Sequence, residues 1–127
     1  MVYQIKNISY SKKDNKRFRV IAINKDFRYN DKKYKKYLDF GDKNGNTFLD
    51  HKDEELRINY FNRHYNNKRE KRFIDNLIMS PSILSLFLLW GPFDNIINNI
   101  ILLNKILMKY NKFNPDMILT KKYFYEK

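Results

Sequence analysis

Between Phe73 and Met108 the chain carries one basic residue, Lys105, against two acidic ones, Asp75 and Asp94, and most of the block is apolar. Twenty Lys and Arg against ten Asp and Glu precede it, and five against two follow it. The net charge of +12 therefore lies outside the block. A chain divided in this way has to close around its neutral segment and leave its charges in water, because an ionised group buried without a partner is strongly disfavoured. The division implies a basic face for a partner and an apolar block that holds a fold or an assembly together. It names no reaction.

At 127 residues the chain fits one domain with a core that needs neither metal nor disulfide support. It contains no cysteine, which excludes disulfides, thiolate nucleophiles and cysteine-ligated zinc or iron–sulfur centres. Lys, Asn, Ile, Tyr and Phe crowd the sequence while Ala and Gly are scarce. AT-rich coding produces that bias, so part of the positive charge is compositional. The opening residues Met1–Lys6 lack the apolar core of a signal peptide, and the chain is expected to stay where it is made or to be packaged from there. A membrane span needs ~20 consecutive apolar residues. Ile83–Trp90 is too short, and Gly91-Pro92 separates it from the next apolar segment.

The pattern predicts an α+β fold: a small antiparallel sheet of about three strands followed by three helices. Val2–Tyr10, Arg17–Ile23 and Tyr34–Phe40 are rich in β-formers, with turn chemistry at Ser11–Asn15. Asn44-Gly45 offers positive φ for a tight reversal, after which Thr47–Leu49 pairs briefly. A helix is expected over about 51–65, opened at Asp50 or His51, with Leu56, Tyr60 and His64 on one stripe and Ile58, Phe61 and Tyr65 beside it. Residues 66–72 read as a charged connection. Ser80-Pro81 reads as an N-cap followed by proline in the first turn, opening the most buried helix. Asp94 is expected to cap a last helix whose apolar stripe comprises Ile96, Ile97, Ile100, Ile101, Leu103 and Leu107. The domain is expected to span 1–113, with 114–127 as a C-terminal tail.

Catalytic patterns are missing. Asp42, Asn44, Asn46 and Asp53 fall on a calcium-loop template, but Thr47 stands where the loop needs glycine, and a hairpin turn explains the same residues. The two histidines, His51 and His64, lack the spacing of a metalloprotease helix, and Ser80, Ser82 and Ser85 lack a nucleophile context. No enzyme activity, metal or cofactor is expected, and no small-molecule substrate. Lys32, Lys33, Lys35 and Lys36 interleave with tyrosines, and Lys68, Arg69, Lys71 and Arg72 form a second cluster; together they are the candidate face for an anionic partner. A solvated face of a lysine-rich protein explains the same residues, and the lack of a sequence-specific DNA-binding motif favours that explanation.

His51-Lys52-Asp53, then Tyr60-Phe61-Asn62-Arg63-His64, then Leu84-Ser85 and Leu89-Trp90, closing at Tyr110–Phe113, form an ordered pattern over about 35–113. It resembles a family of small basic uncharacterised proteins of nucleocytoplasmic large DNA viruses, mimivirus-like and chlorovirus-like. Leu86 stands where that family usually has arginine, so no role tied to the arginine carries over. The resemblance brings no catalytic residues, and His51, Asp53, Tyr60, Arg63, His64, Leu84, Ser85, Leu89 and Trp90 are expected to be structural. Arg63 in particular is expected to reach a carboxylate such as Asp75 or a helix terminus. The resemblance implies a virion protein made in the host cytoplasm, a minor capsid or cement component. Its partners would be other capsid proteins, with nucleic acid or an inner membrane surface as further candidates for the basic face. The alternative is a nucleic-acid-binding protein of the viral factory or packaged genome.

Overall fold

Val20, Ala22, Leu38 and Phe40 occupy inward positions on two paired strands and are almost wholly buried, so the sheet presents one apolar face. The computed structural model describes residues 3–26, 28 and 34–126. Strands β1 (Tyr3–Tyr10), β2 (Lys16–Asn24) and β3 (Lys35–Asp42) form an antiparallel sheet in chain order, as expected. A bulge between Ile5 and Asn7 puts Ile5 opposite Ala22 and Ile8 opposite Val20, so both isoleucines share the inward face at a spacing of three. The free edge of β1 is closed by a side chain. Asn104 accepts from the Ile5 amide at 2.7 Å and donates to the Ile5 carbonyl at 2.9 Å, pairing as a strand residue would.

The helical elements that follow are α1 (Phe48–His51), α2 (Glu54–Tyr65), α3 (Lys68–Asp75), α4 (Pro81–Leu84), α5 (Ile96–Lys109), α6 (Asp116–Leu119) and α7 (Lys122–Tyr125). The α+β class stands; the helices are shorter and more numerous than three. Thr47 does not pair as a strand: it caps α1, whose Asp50 reaches back to the Thr47 amide at 2.8 Å. Nor does the Asn44-Gly45 turn use positive φ; left-handed backbone occurs instead at Gly41, Lys52 and Leu77. Asp53, not Asp50 or His51, caps α2, accepting from the Glu55 and Leu56 amides. The buried side of α2 is Arg57 and Phe61, while Leu56 and Ile58 are 47% and 40% exposed, so the expected stripe is rotated.

Residues 66–72 are not a connection. Asn67 caps α3 by accepting from the Arg69 and Glu70 amides, and the charged run becomes a helix that buries Ile74. Asn95, not Asp94, caps α5. Its buried side is Asn99, Leu102, Leu103, Ile106 and Leu107, leaving Ile97 and Ile101 about half exposed. Residues 114–126 do not form a tail: α6 inserts Met117 and Ile118 into the same core. The Arg57 guanidinium, itself buried, secures them by donating to the Ile118 carbonyl at 2.6 Å while pairing with Glu54 at 2.9 Å.

Ser80 caps α4 as expected, with Pro81 in its first turn. The helix then widens into a π turn, Ser85–Leu89, closed by the Trp90 amide on the Ser85 carbonyl at 3.2 Å. Leu86, Phe87, Leu88 and Leu89 are all buried there. The chain leaves through Gly91, where an added Cβ would stand 2.0 Å from the Phe87 carbonyl oxygen and 2.8 Å from Asn99 Oδ1. Asn99 holds the exit loop by donating to the Leu88 and Phe93 carbonyls and accepting from the Phe93 amide. Gly91→Ala is expected to lower unfolding free energy by about 1–3 kcal/mol or more, the usual cost of forcing volume into a packed interior. Urea denaturation of the variant checks this, and an unchanged midpoint would show that the exit loop is not held as described.

Candidate functional site

Four of the nine motif residues, His51, Trp90, Tyr60 and His64, meet in one column of rings. It starts at the end of α1, where Lys52 takes a left-handed conformation (φ 58°) so that the chain can turn directly into α2. The turn is tied by His51, whose Nδ1 accepts from the Asp53 amide at 2.9 Å. A neutral His51 ring therefore carries its proton on Nε2, which is buried and has no hydrogen-bond partner among the described residues. The ring lies 5.2 Å from Trp90, placed at the exit of the π turn. Trp90 stacks on Tyr60 at 4.3 Å with planes 6° apart, and Tyr60 meets His64 at 4.0 Å. His64 Nδ1 ends the column on the Glu70 carboxylate of α3, 2.8 Å away.

The column joins α1, α2, α3 and the π turn across the point where the sequence changes from charged to apolar. Burial is the main reason the Tyr60 hydroxyl is pushed up to about 12; the neighbouring Glu70 charge adds to this and Arg63 opposes it. Asp53 serves as the α2 cap, and Leu84 and Leu89 are core residues. Ser85 supplies the carbonyl that closes the π turn.

Arg63 is not where it was expected. Its guanidinium stays exposed, 5.7 Å from the Tyr60 ring centre, and does not reach Asp75. Asp75 is already engaged by the Tyr65 hydroxyl at 2.5 Å and by Lys71 at 2.7 Å, which braces α2 against α3. Hydrogen bonds from both partners hold the Asp75 carboxyl below its usual range against the opposing effect of burial.

The eight candidate cations divide. Lys32 and Lys33 lie outside the described residues. Lys35 is exposed on β3, and Lys68, Arg69 and Arg72 are exposed on α3. Lys71 is exposed too but committed to Asp75. Lys36 faces inward, opposite Ala22, and donates to the Met79 carbonyl at 3.2 Å, so it does not belong to the outer basic face. Strand alternation from Leu38 and Phe40 gives the signal for that inward position. Glu70 and Arg57, both overlooked in the sequence, depend on partners six and sixty-one positions away. Among the described residues no three His, Cys, Asp or Glu side chains gather as a metal-binding group.

Residues 6–64 match the profile of a family described as "Family of unknown function (DUF5754)". The matched stretch takes in β1 from Lys6, β2, β3, α1 and α2 as far as His64, and stops before Glu70 and Trp90, which complete the column. No curated protein and no solved structure matches the chain.

With the Tyr60 hydroxyl at about 12 in the folded protein and near 10 in the unfolded chain, its contribution to stability is present below pH ~10 and lost as pH rises toward 12. Tyr60→Phe should therefore lose less stability between pH ~10 and 12 than the native chain. Urea midpoints across that range check this, and parallel losses would contradict the buried hydroxyl.

Proposed function

We propose that the chain is a non-enzymatic structural protein of a large icosahedral DNA virus, a minor capsid or cement component that grips an acidic partner through the α2–α3 hairpin. One observation carries the binding part of this reading. Arg63, Lys68, Arg69 and Arg72 are exposed on two helices joined by a two-residue turn, and none of them meets a carboxylate among the described residues. The hairpin beneath them is braced by His64–Glu70 and by Tyr65–Asp75–Lys71. Unneutralised cations on a preformed support lose little entropy on binding and favour anionic surfaces. The viral setting rests on the family resemblance alone.

A second reading, nucleic-acid binding, draws on the tip of the β1–β2 hairpin. Tyr10 is 81% exposed there, stacked on Phe18 at 5.5 Å, with Lys12, Lys13 and Lys16 on the same turn. An exposed ring among lysines offers a base a stacking surface.

Fractionation of nuclease-treated particles of the virus encoding the chain separates the two. Retention at fixed stoichiometry with the major capsid protein is the expected result, and neutralising the four hairpin cations to Gln should abolish incorporation of a still-folded chain. Absence from particles would overturn the capsid reading, and release by nuclease would favour nucleic acid.

A further inference from the structure

Lys36 is a cation in an apolar position. Its strand alternation places it on the inward face with Leu38 and Phe40, and its ammonium has the Met79 carbonyl at 3.2 Å and the Tyr3 ring centre at 5.7 Å as neighbours. No carboxylate lies within ion-pairing distance of it among the described residues. An ammonium has three donors, and one carbonyl uses one of them. A half-buried charge left in this state is costly unless something else completes it.

It opens onto a cavity of about 480 Å³. The floor is Leu77, Met79 and Leu107, all buried, and the walls include Tyr3 and Tyr110. The backbone is bent to make this floor. After α3 the chain turns through Leu77 at φ 50°, a left-handed conformation that a leucine adopts at a cost, with the Leu77 and Ile78 amides returning to the Ile74 and Phe73 carbonyls. That turn sends Leu77 down and leaves Ile78 partly exposed at the rim. A hollow of this size with an apolar floor, Asn76 and Asn111 in its lining and one incompletely satisfied cation has the makings of a site for a small amphipathic molecule.

The charge pattern narrows the class. Tyr110 gives its hydroxyl to Glu126 at 2.6 Å, and Lys109 pairs with the same carboxylate at 3.7 Å, so the charges on the α5 side of the cavity are already matched to each other. Among the described residues Lys36 is the single cation of the lining, Lys112 being turned onto the Asn76 side chain, and no arginine fork is present there, so the lining does not match the dianionic head of a phosphate monoester. We propose that this cavity binds a monocarboxylate with an aliphatic body, such as a medium-chain fatty acid, with its carboxylate on Lys36 and its chain over Leu77, Met79 and Leu107. This goes beyond the capsid reading and does not depend on it.

Titration of isotope-labelled protein with octanoate and, separately, octanol tests the assignment by amide chemical shifts. Octanoate is expected to move the amides of Leu77–Met79 and Tyr110 and to bind about tenfold more tightly than octanol, as a charge-assisted contact would give. Lys36→Met, which keeps the aliphatic stem, should bring octanoate down to the affinity of octanol, and Lys36→Arg should restore the preference. Equal affinities in the native protein would overturn the proposal, as would shifts confined to exposed lysines. The comparison of the two ligands in the native chain needs no variant and stands even if Lys36→Met fails to fold.

Discussion

Four consecutive apolar side chains, Leu86 to Leu89, have no exposed side, and the rest of the chain is arranged to cover them. The four side chains point in different directions around the π turn, and separate elements cover them. β3 covers one flank, with Gly41 so close to Leu89 that a Cβ there would stand 2.9 Å from its methyl group. On another, Asn99 of α5 holds the Leu88 carbonyl, and Phe113 meets the Phe87 ring edge-on at 6.0 Å. Each such side chain removed from water contributes roughly 1.5–3 kcal/mol, so the four together are a large local source of stability.

The charge division first looks like a map of two parts, a binding half and an anchoring half. The fold removes that boundary. The ring column from His51 to Glu70 carries Trp90 of the neutral block between residues of the charged one, and Asn104 closes the edge of β1. Arg57 does the same for the C-terminal helices through the Ile118 carbonyl. Of the charges that remain outside, the carboxylates mostly take up specific neighbours. Asp39 accepts from Ser11 and Arg19, Asp50 from Arg17, and both are held below the usual carboxylate range by those hydrogen bonds. Arg63, Lys68, Arg69 and Arg72 remain exposed without a carboxylate among the described residues.

Local signals were legible in the sequence and distant ones were not. The three strands and the Ser80-Pro81 cap follow from propensity and from backbone groups a few residues apart. Helix α3 escaped because a run of Lys and Arg reads as solvated connection, while its cap, Asn67, resembles any loop asparagine. The buried face of α5 was misjudged because Asn99 counts as polar until the exit loop that satisfies it is known. Residues 114–126 read as a tail because their anchor, Arg57, lies on another helix. The candidate site divided in the same way. Lys68, Arg69 and Arg72 were readable as exposed cations, whereas the exposure of Arg63 depends on Tyr65 and Lys71 having already engaged Asp75. The cavity at Lys36 depends on a left-handed Leu77 that nothing in the local sequence announces.

If one buried turn unites both halves, they cannot unfold separately. Native-state hydrogen exchange read residue by residue tests this directly. The account predicts that the amides of Val20 and Ala22 in β2, of Leu86 to Leu89, and of Leu102 to Ile106 in α5 exchange through the same global opening, with equal free energies and equal denaturant dependence. A sheet that exchanges through its own opening, at clearly lower free energy than the helices around Leu86–Leu89, would contradict it.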